Sequence, residues 1–166
     1  MKSFILGLLL RLAPTPVEAA YIAAVEIGRP EIAPALVAVC MRESNCTKMG
    51  AHEIDAHLSL GGYFGQVKLG NLNRECQPYV RGGWATRGAF GLSAASHWEY
   101  LPECYQPWVL DDNLISARVA ALKYVRRCVG KKPKNSWCPN PKKIGSVDPE
   151  KVEWAHRFLN YTGSKA

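Results

Sequence analysis

Apolar residues recur at helical spacing in four segments of this chain, and no segment alternates apolar and polar residues as a half-buried strand would. The segments are residues 16–27, residues 32–44, a stretch from Asp111 or Asp112 to about Val129, and a last stretch that opens at Asp148. Thr15 is a suitable N-cap for the first, and Gly28 and Gly130 are suitable stops. The pattern predicts a mainly α protein with little or no β-sheet.

The same spacing indicates which side of the later helices is buried. In the third segment the predicted apolar stripe consists of Ile115, Val119, Leu122 and Val125. In the last segment it consists of Val152, Ala155, Phe158 and Leu159. Both stripes predict helices that pack with one face on a shared core.

The length of 166 residues suits one core and requires no second domain. We expect residues 1–15 to form an N-terminal segment, residues 16–130 the main domain, and residues 131–166 a basic connector and a C-terminal helix packed on that domain. Residues 131–146 of the connector are expected to be exposed. Between residues 47 and 88, glycines, polar residues and aromatic residues replace the helical pattern, and loops of this length are usually functional. We expect them to form the walls of a cleft.

The N-terminal segment has two interpretations. Lys2, the apolar run at residues 4–10 and the small residues near Ala19 resemble a weak secretory signal. The Thr15-Pro16 pair, typical of a helix start, favours a retained N-terminus with a folded first helix. No apolar run reaches the roughly 20 residues that span a bilayer, so we expect no transmembrane anchor.

The net charge of +7 is unevenly distributed. Between Asn113 and Val147 there is no acidic residue, and nine are basic: Arg118, Lys123, Arg126, Arg127, Lys131, Lys132, Lys134, Lys142 and Lys143. Such a surface attracts polyanions, either an anionic cell envelope or nucleic acid, although it is also compatible with an ordinary solvated helix face. No groove-reading motif accompanies the charge, which argues against nucleic acid.

Six cysteines, at positions 40, 46, 76, 104, 128 and 138, form an even set without a CxxC pair. The spacing argues against a zinc ribbon and favours disulfides in an oxidising compartment. Fifteen pairings are possible, and a Cys128–Cys138 bridge is the local one that we expect. The alternative is a set of reduced, buried thiols in a cytosolic protein.

Glu43 lies on the apolar side of the second predicted helix. Leu36, Val39, Cys40 and Glu43 are spaced i, i+3, i+4 and i+7. The carboxyl group therefore faces the interior or a cleft, where it can act as a general acid. The alternative is a solvated residue at a helix end.

The residues around Glu43 resemble those of a known family. The sequence CMRESNC at 40–46 resembles the helix-ending Glu-Ser motif of lytic transglycosylases with a lysozyme-like fold, and residues 21–39 resemble the helix, turn and apolar helix that lead to it. GAFGL at 88–92 resembles the family's Gly-Ala-x-Gly-Leu motif, and AALKYV at 120–125 is similar to its Tyr-bearing helix. The resemblance covers about two-thirds of the chain and implies a single lysozyme-like domain with long cleft loops.

The resemblance also implies the site residues. Glu43 is the expected catalytic residue, and the expected substrate-binding residues are Ser44, Gln66, Gly88, Phe90, Gly91, Leu92, Trp98 and Tyr124. Gln66 is included because the Gln that usually follows the second motif is absent after Leu92, whereas GGYFGQ at 61–66 keeps one. Either segment is therefore a candidate for the second motif. Aromatic faces suit sugar rings, which is the basis for Trp98.

The family reaction implies cleavage of the MurNAc-GlcNAc bond of peptidoglycan without water, with Glu43 as acid and then base and a 1,6-anhydro product. A hydrolytic lysozyme would need a second carboxylate, for which Glu53, Asp55 and Glu75 are candidates. Neither reaction needs a metal or a cofactor. The His residues of HEIDAH at 52–57 are five positions apart, which does not match the helical spacing of a zinc protease.

The resemblance and the charge together imply a biological setting. The expected partners are peptidoglycan strands, the anionic cell envelope and other virion proteins, and the expected location is the host periplasm or cell wall, reached from a bacteriophage virion or as a lysis enzyme. An exported protein is the alternative. Two non-enzymatic functions are also possible interpretations: a wall-binding or structural virion module without activity, and a basic nucleic-acid-binding domain.

Overall fold

The computed structural model describes residues 13–47, 50, 52, 86–101, 107–130 and 136–163. The helices in these ranges are α1 (Pro16–Glu26), α2 (Ala33–Ser44), α3 (Ala94–His97), α4 (Asn113–Arg127) and α5 (Pro149–Thr162). Short 3-10 turns occupy Pro30–Ile32, Trp98–Tyr100, Pro107–Asp111 and Pro141–Lys143. The described ranges contain no strand, only an isolated antiparallel bridge between Arg87 and Leu92. The prediction of a mainly α fold is confirmed for this part of the chain.

Side-chain caps set the starts of three helices, at the predicted cap Thr15 and at the Asp residues with which the later segments open. The side-chain oxygen of Thr15 accepts the backbone N–H of Glu18, which caps α1. Asp112 and Asp148 cap α4 and α5 in the same manner. These acceptors satisfy N–H groups that have no partner within the helix.

Helix α1 is the centre of the core, because α2, α4 and α5 all pack against it. Every residue of α1 from Ala19 to Val25 is buried, and four of these seven are alanine. On α4 the buried residues are also small: Ser116, Ala117, Val119, Ala120 and Ala121. Small side chains at a contact allow two helix axes to approach closely.

The predicted stripe on α4 is wrong in part. Val119 is buried, but the side chain of Leu122 is 40% exposed, and Ile115 and Val125 are only half-buried. The buried side of the helix therefore consists mainly of small residues together with Val119, and it differs from the predicted stripe. On α5 the prediction is confirmed, since Ala155 and Leu159 are buried and Val152 and Phe158 pack against them.

Two disulfides lie within the described ranges, Cys40–Cys46 and Cys128–Cys138. The second confirms the predicted local bridge. Trp137, which precedes Cys138, is buried in the core and only 7% exposed. The connector is therefore buried at residues 137–139 and exposed from 140 to 143, which corrects the expectation of an exposed segment. Cys76, Cys104 and residues 1–12 lie outside the described ranges.

Disulfides of this kind indicate an oxidising environment outside the cytoplasm. Among the described helices, none is both long enough and apolar enough to cross a bilayer.

Candidate functional site

Glu43 lies in the last turn of α2, on the face that carries the core residues of that helix. Leu36, Val39 and Cys40 are fully buried on this face, whereas the Glu43 side chain is 25% exposed. The helix ends at Asn45, which adopts the left-handed conformation that Asn tolerates well (φ 55°). The Cys40–Cys46 bridge closes a short loop around Glu43. The carboxyl group thus emerges from a rigid base at the edge of the core.

A tight turn over residues 87–92 covers the end of α2. The backbone N–H of Arg87 donates to the carbonyl of Leu92 (2.8 Å), and the N–H of Leu92 donates back (3.1 Å). Gly88 and Gly91 both have positive φ, +70° and +59°. A Cβ atom on Gly88 would lie 2.1 Å from the Leu110 carbonyl oxygen, so this position requires glycine.

Gly91 is in direct contact with the candidate catalytic group. A Cβ atom on Gly91 would lie 2.7 Å from Oε2 of Glu43 and 3.0 Å from its Cβ and Cγ. The neighbouring Ser44 hydroxyl donates a hydrogen bond to the Ala89 carbonyl over 2.8 Å. The Glu-Ser helix end and the GAFGL turn, 45 residues apart at this bond, therefore touch each other through a glycine and a hydroxyl.

Arg42 holds the other oxygen of Glu43. Its Nη2 and Nε lie 2.6 and 3.0 Å from Oε1 of Glu43. The same guanidinium donates to the backbone carbonyls of Ser136 (2.9 Å) and Trp137 (2.7 Å). The planar fork of Arg suits such simultaneous contacts. Arg42 therefore ties the position of Glu43 to the connector.

Trp137 and Lys123 complete the surroundings of Glu43. The Trp137 indole N–H donates to the Phe90 carbonyl (3.2 Å), and the ammonium of Lys123 lies 4.2 Å from the centre of a Trp137 ring. Burial lowers the pKa of Lys123 from 10.5 to about 8, while the negative charge of Glu43 acts in the opposite direction. Helix α4, the connector and the 87–92 turn thus converge on one carboxyl group.

His97 lies beside this cluster, at the end of α3. Its Nδ1 donates to the Ser93 carbonyl over 2.7 Å, and its residue is 6% exposed. Burial, assisted by the charge of Lys123, lowers the pKa of His97 to about 4. His97 is therefore neutral at physiological pH. Another imidazole, that of His52, is hydrogen-bonded to the Gly88 carbonyl (2.9 Å) and supports the turn from outside.

The structure brings several predicted site residues together. Ser44 lies next to Glu43 at the end of α2, and Gly88 and Gly91 lie in the 87–92 turn that contacts it. Phe90 and Leu92 belong to the same turn, but their side chains are fully buried. These side chains pack in the core beneath the turn, so only the backbone of the two residues can contact a ligand.

Tyr124 does not join this group among the described contacts. It is half-buried, burial raises its pKa, and the charged group that acts on it is Arg29 rather than Glu43. The charge of Glu43 instead acts on the pKa of Lys123, one position earlier on α4, and raises it. Trp98 lies in the 3-10 turn after α3.

The remaining predicted residues, Gln66, Glu53, Asp55 and Glu75, lie outside the described ranges. The alternative second motif at 61–66 and most of the HEIDAH segment lie there as well. Among the described residues, no group of three His, Cys, Asp or Glu side chains is arranged to hold a metal ion.

Sequence reasoning missed the roles of Trp137 and Lys123. The signal for Trp137 was a single large apolar residue beside Cys138 in an otherwise polar connector, since a disulfide next to an aromatic residue indicates local burial. Lys123 gave no separate signal, because one lysine among nine basic residues is indistinguishable from a solvated charge. No family model, curated protein or solved structure matches this chain.

Proposed function

We propose that this protein cleaves the glycan strands of bacterial peptidoglycan by lytic transglycosylation, with Glu43 as general acid and then base on a lysozyme-like fold. The observation that carries the proposal is the contact between the Glu-Ser helix end and the GAFGL turn. These are the two segments whose resemblance suggested the family, and they meet at Glu43 and Gly91. A chance resemblance of two short motifs gives no reason for such a contact.

The geometry of the carboxyl group suits proton transfer to a bound substrate. Oε1 is held by Arg42, and Oε2 accepts no hydrogen bond from any residue in the described ranges. Oε2 is therefore the oxygen that we propose for the proton transfer. Because the group is fixed by Arg42 on one side and by the backbone of Gly91 on the other, little orientational freedom is lost when the substrate binds.

The proposed reaction needs one essential carboxyl group. Glu43 gives its proton to the glycosidic oxygen as the bond from that oxygen to the muramoyl C1 breaks, and the substrate's N-acetyl group stabilises the oxocarbenium-like centre. The Glu43 carboxylate then takes the proton of the muramoyl 6-hydroxyl as that oxygen bonds to C1. The product is a 1,6-anhydro sugar, Glu43 regains its proton, and no water is consumed.

A hydrolytic lysozyme is the alternative, with a second carboxylate supplied by Glu53, Asp55 or Glu75. Within the described ranges, the acidic groups that flank the turn are engaged elsewhere. Asp111 forms an ion pair with Arg87, and Glu99 with Arg126. Neither of these two groups is therefore proposed as the second carboxylate, and the three candidates themselves lie outside the described ranges.

Substitution of Glu43 by Gln tests the enzyme proposal. We expect cleavage of purified peptidoglycan, measured by turbidity or zymogram, to fall about 10²- to 10⁴-fold, the usual contribution of a positioned general acid. Glu150→Gln, at an exposed position of α5, is the matched control and should retain activity. Wild-type activity in the Glu43→Gln protein would remove Glu43 from the mechanism. A wild-type protein that binds peptidoglycan without cleaving it would be a wall-binding or virion module, and one that binds only nucleic acid would exclude both.

Mass analysis of the released fragments separates the two enzymes. Transglycosylation yields anhydromuramic ends, which are lighter by one water than hydrolytic ends. Exclusively hydrolytic ends, together with loss of activity in Glu53→Gln, Asp55→Asn or Glu75→Gln, would identify a lysozyme. The basic surface and the disulfides suit a protein that acts at the host envelope, carried by a bacteriophage virion, produced for lysis or exported.

A further inference from the structure

Lys123 differs from every other cation in the described ranges. Seven of these cations form an ion pair with a carboxylate: Arg29, Arg42, Arg87, Arg118, Arg126, Lys151 and Arg157. The remaining ones are Lys123, Arg127, Lys142 and Lys143, and of these only Lys123 is half-buried. A partly desolvated charge without a counter-charge is costly to maintain, so its position calls for an explanation.

The ammonium of Lys123 is held in place by an aromatic ring. It lies 4.2 Å from the centre of a Trp137 ring, and Trp137 is itself fixed by its bond to the Phe90 carbonyl and by the neighbouring Cys128–Cys138 bridge. A cation over an aromatic face is stabilised but makes no hydrogen bond to it. Among the described residues, none accepts a hydrogen bond from Lys123, so all three of its N–H donors are available.

Lys123 is connected to Glu43 through Trp137 and Arg42. Its ammonium lies over a Trp137 ring, and Arg42 donates both to the Trp137 carbonyl and to Oε1 of Glu43. On α2, Glu43 attracts the ammonium and Arg42 repels it; Arg127 on its own helix also repels it, and it acts on His97 at the end of α3. Glu43 forms its ion pair with Arg42, and Lys123 forms none within the described ranges. The site therefore contains a fixed ammonium near the candidate catalytic carboxyl group, with its donors unoccupied.

We propose that Lys123 binds a carboxylate of the substrate and makes the Glu43 site select glycans that carry acidic substituents over neutral ones. This inference rests on the proposed function. A muramoyl residue carries a lactyl group that ends in a carboxyl, either free or joined to a peptide with carboxylates of its own. A polymer of N-acetylglucosamine has the same ring and the same N-acetyl group but no carboxylate. A site with a polar group that only the acidic glycan satisfies discriminates against the neutral one.

Three lysine variants test the selection. Lys123→Met keeps an unbranched side chain over Trp137 and removes the charge, Lys123→Arg keeps the charge, and Lys142→Met removes an exposed charge as the matched control. The measured quantity is the ratio of kcat/KM on soluble peptidoglycan strands to kcat/KM on chitin oligosaccharides. We expect Lys123→Met to lower this ratio about 10- to 100-fold, mainly through KM on peptidoglycan, with partial recovery in Lys123→Arg and none of these changes in Lys142→Met.

An unchanged ratio in a folded Lys123→Met protein would overturn the inference. Circular dichroism and thermal unfolding verify that each variant is folded. A ratio that falls equally in Lys142→Met would assign the effect to the general positive charge of the surface, which also overturns the role of Lys123.

A binding measurement distinguishes failure of this inference from failure of the proposed function. N-acetylmuramic acid and N-acetylglucosamine contain no glycosidic bond to cleave, so each can be titrated into the wild-type protein while NMR follows the side chain of Lys123. The acidic sugar should raise the pKa of Lys123, because a bound carboxylate stabilises the charged amine, and the neutral sugar should leave it unchanged. Identical behaviour with both sugars would overturn the inference even if peptidoglycan is cleaved. A response to the acidic sugar alone, in a protein without cleaving activity, would leave the inference standing and reject the enzyme.

Discussion

The contact between α1 and α4 and the surroundings of Glu43 are built in different ways. The buried residues of the two helices are largely alanine, and their contact depends on close packing of small apolar groups. Around Glu43, polar side chains instead bind backbone carbonyls of distant segments. Ser44 binds Ala89, and Arg42 binds Ser136, 94 residues away.

The difference shows that the helix contact mainly stabilises the fold, whereas the contacts around Glu43 mainly fix the position of its carboxyl group. The helix contact is non-directional and depends on the apolar area removed from water. The hydrogen bonds around Glu43 are directional, and the glycines there have positive φ. These features fix the carboxyl group in one position, and they make the region sensitive to substitutions. Substitutions should therefore have sharply different consequences in the two regions.

The largest effect is expected at the turn, from Gly88→Ala. The new methyl group would meet the Leu110 carbonyl and would also force alanine into a left-handed conformation. The two effects together should lower the free energy of unfolding by about 3 to 4 kcal/mol, measured by urea denaturation. Gly130→Ala is the matched control, since its φ is +71° and a methyl group there meets nothing within 4 Å. It should cost only about 1 kcal/mol, and equal losses in both variants would show that the turn is not tightly packed.

The next effect is a loss of stability in acid that originates at His97. Its pKa is about 4 in the folded protein and 6.5 as the ordinary value, so the unfolded chain binds the proton more readily. The stability contributed by neutral His97 is complete above pH 6.5 and is lost as the pH falls toward 4. The loss amounts to about 3 kcal/mol.

The His97→Asn variant isolates this contribution, because the amide can still donate to Ser93 but does not titrate. The difference in unfolding free energy between pH 7 and pH 4 should shrink by about 3 kcal/mol in the variant, with the carboxylates contributing equally to both proteins. Parallel pH curves for the two proteins would contradict the buried, neutral state of His97.

Removal of the Cys128–Cys138 bridge, by substitution of both cysteines with serine, tests the connection between the two regions. Release of a loop of ten residues should cost about 2 to 3 kcal/mol through the entropy of the unfolded chain. The proposed wall-cleaving activity should fall further than this loss of stability explains at temperatures where the variant is folded, because the bridge lies next to Trp137, which donates a hydrogen bond to the Phe90 carbonyl. Full activity in the folded variant would show that the connector is not part of the site.

The smallest effects concern α4 and test its buried side directly. Ala120→Leu inserts a larger side chain at a fully buried position and should cost about 2 kcal/mol. Leu122→Ala removes a side chain that is 40% exposed and should cost less than about 0.5 kcal/mol. The stripe predicted from spacing alone would give the opposite order, so thermal unfolding of the two variants discriminates between the two orientations.

Local rules were sufficient for the four longer helices and for the side of α2 on which Glu43 lies, but they did not predict the short helix α3. Thr15, Asp112 and Asp148 act as caps because a side-chain oxygen next to a helix start needs only its own neighbours to satisfy free N–H groups. Glu43 shares a face with Leu36 because helical periodicity is a property of consecutive residues. The Cys128–Cys138 bridge was the local pairing expected among fifteen possible ones, whereas the Cys40–Cys46 bridge, between cysteines that are closer in sequence, was not predicted.

Only the tertiary structure decided the rest, because it depends on contacts between segments that are far apart in sequence. The exposure of Leu122 follows from the close approach of α4 to α1, which favours alanine at the contact even where a leucine fits the helical period. The proximity of Gly91 to Glu43, the burial of Trp137 and the position of Lys123 over its ring are likewise set by chain segments that local periodicity does not relate. The sequence thus determined the four longer helices and which carboxyl group faces the site, whereas the short helix α3 and the residues that surround that group depended on the packing of distant segments.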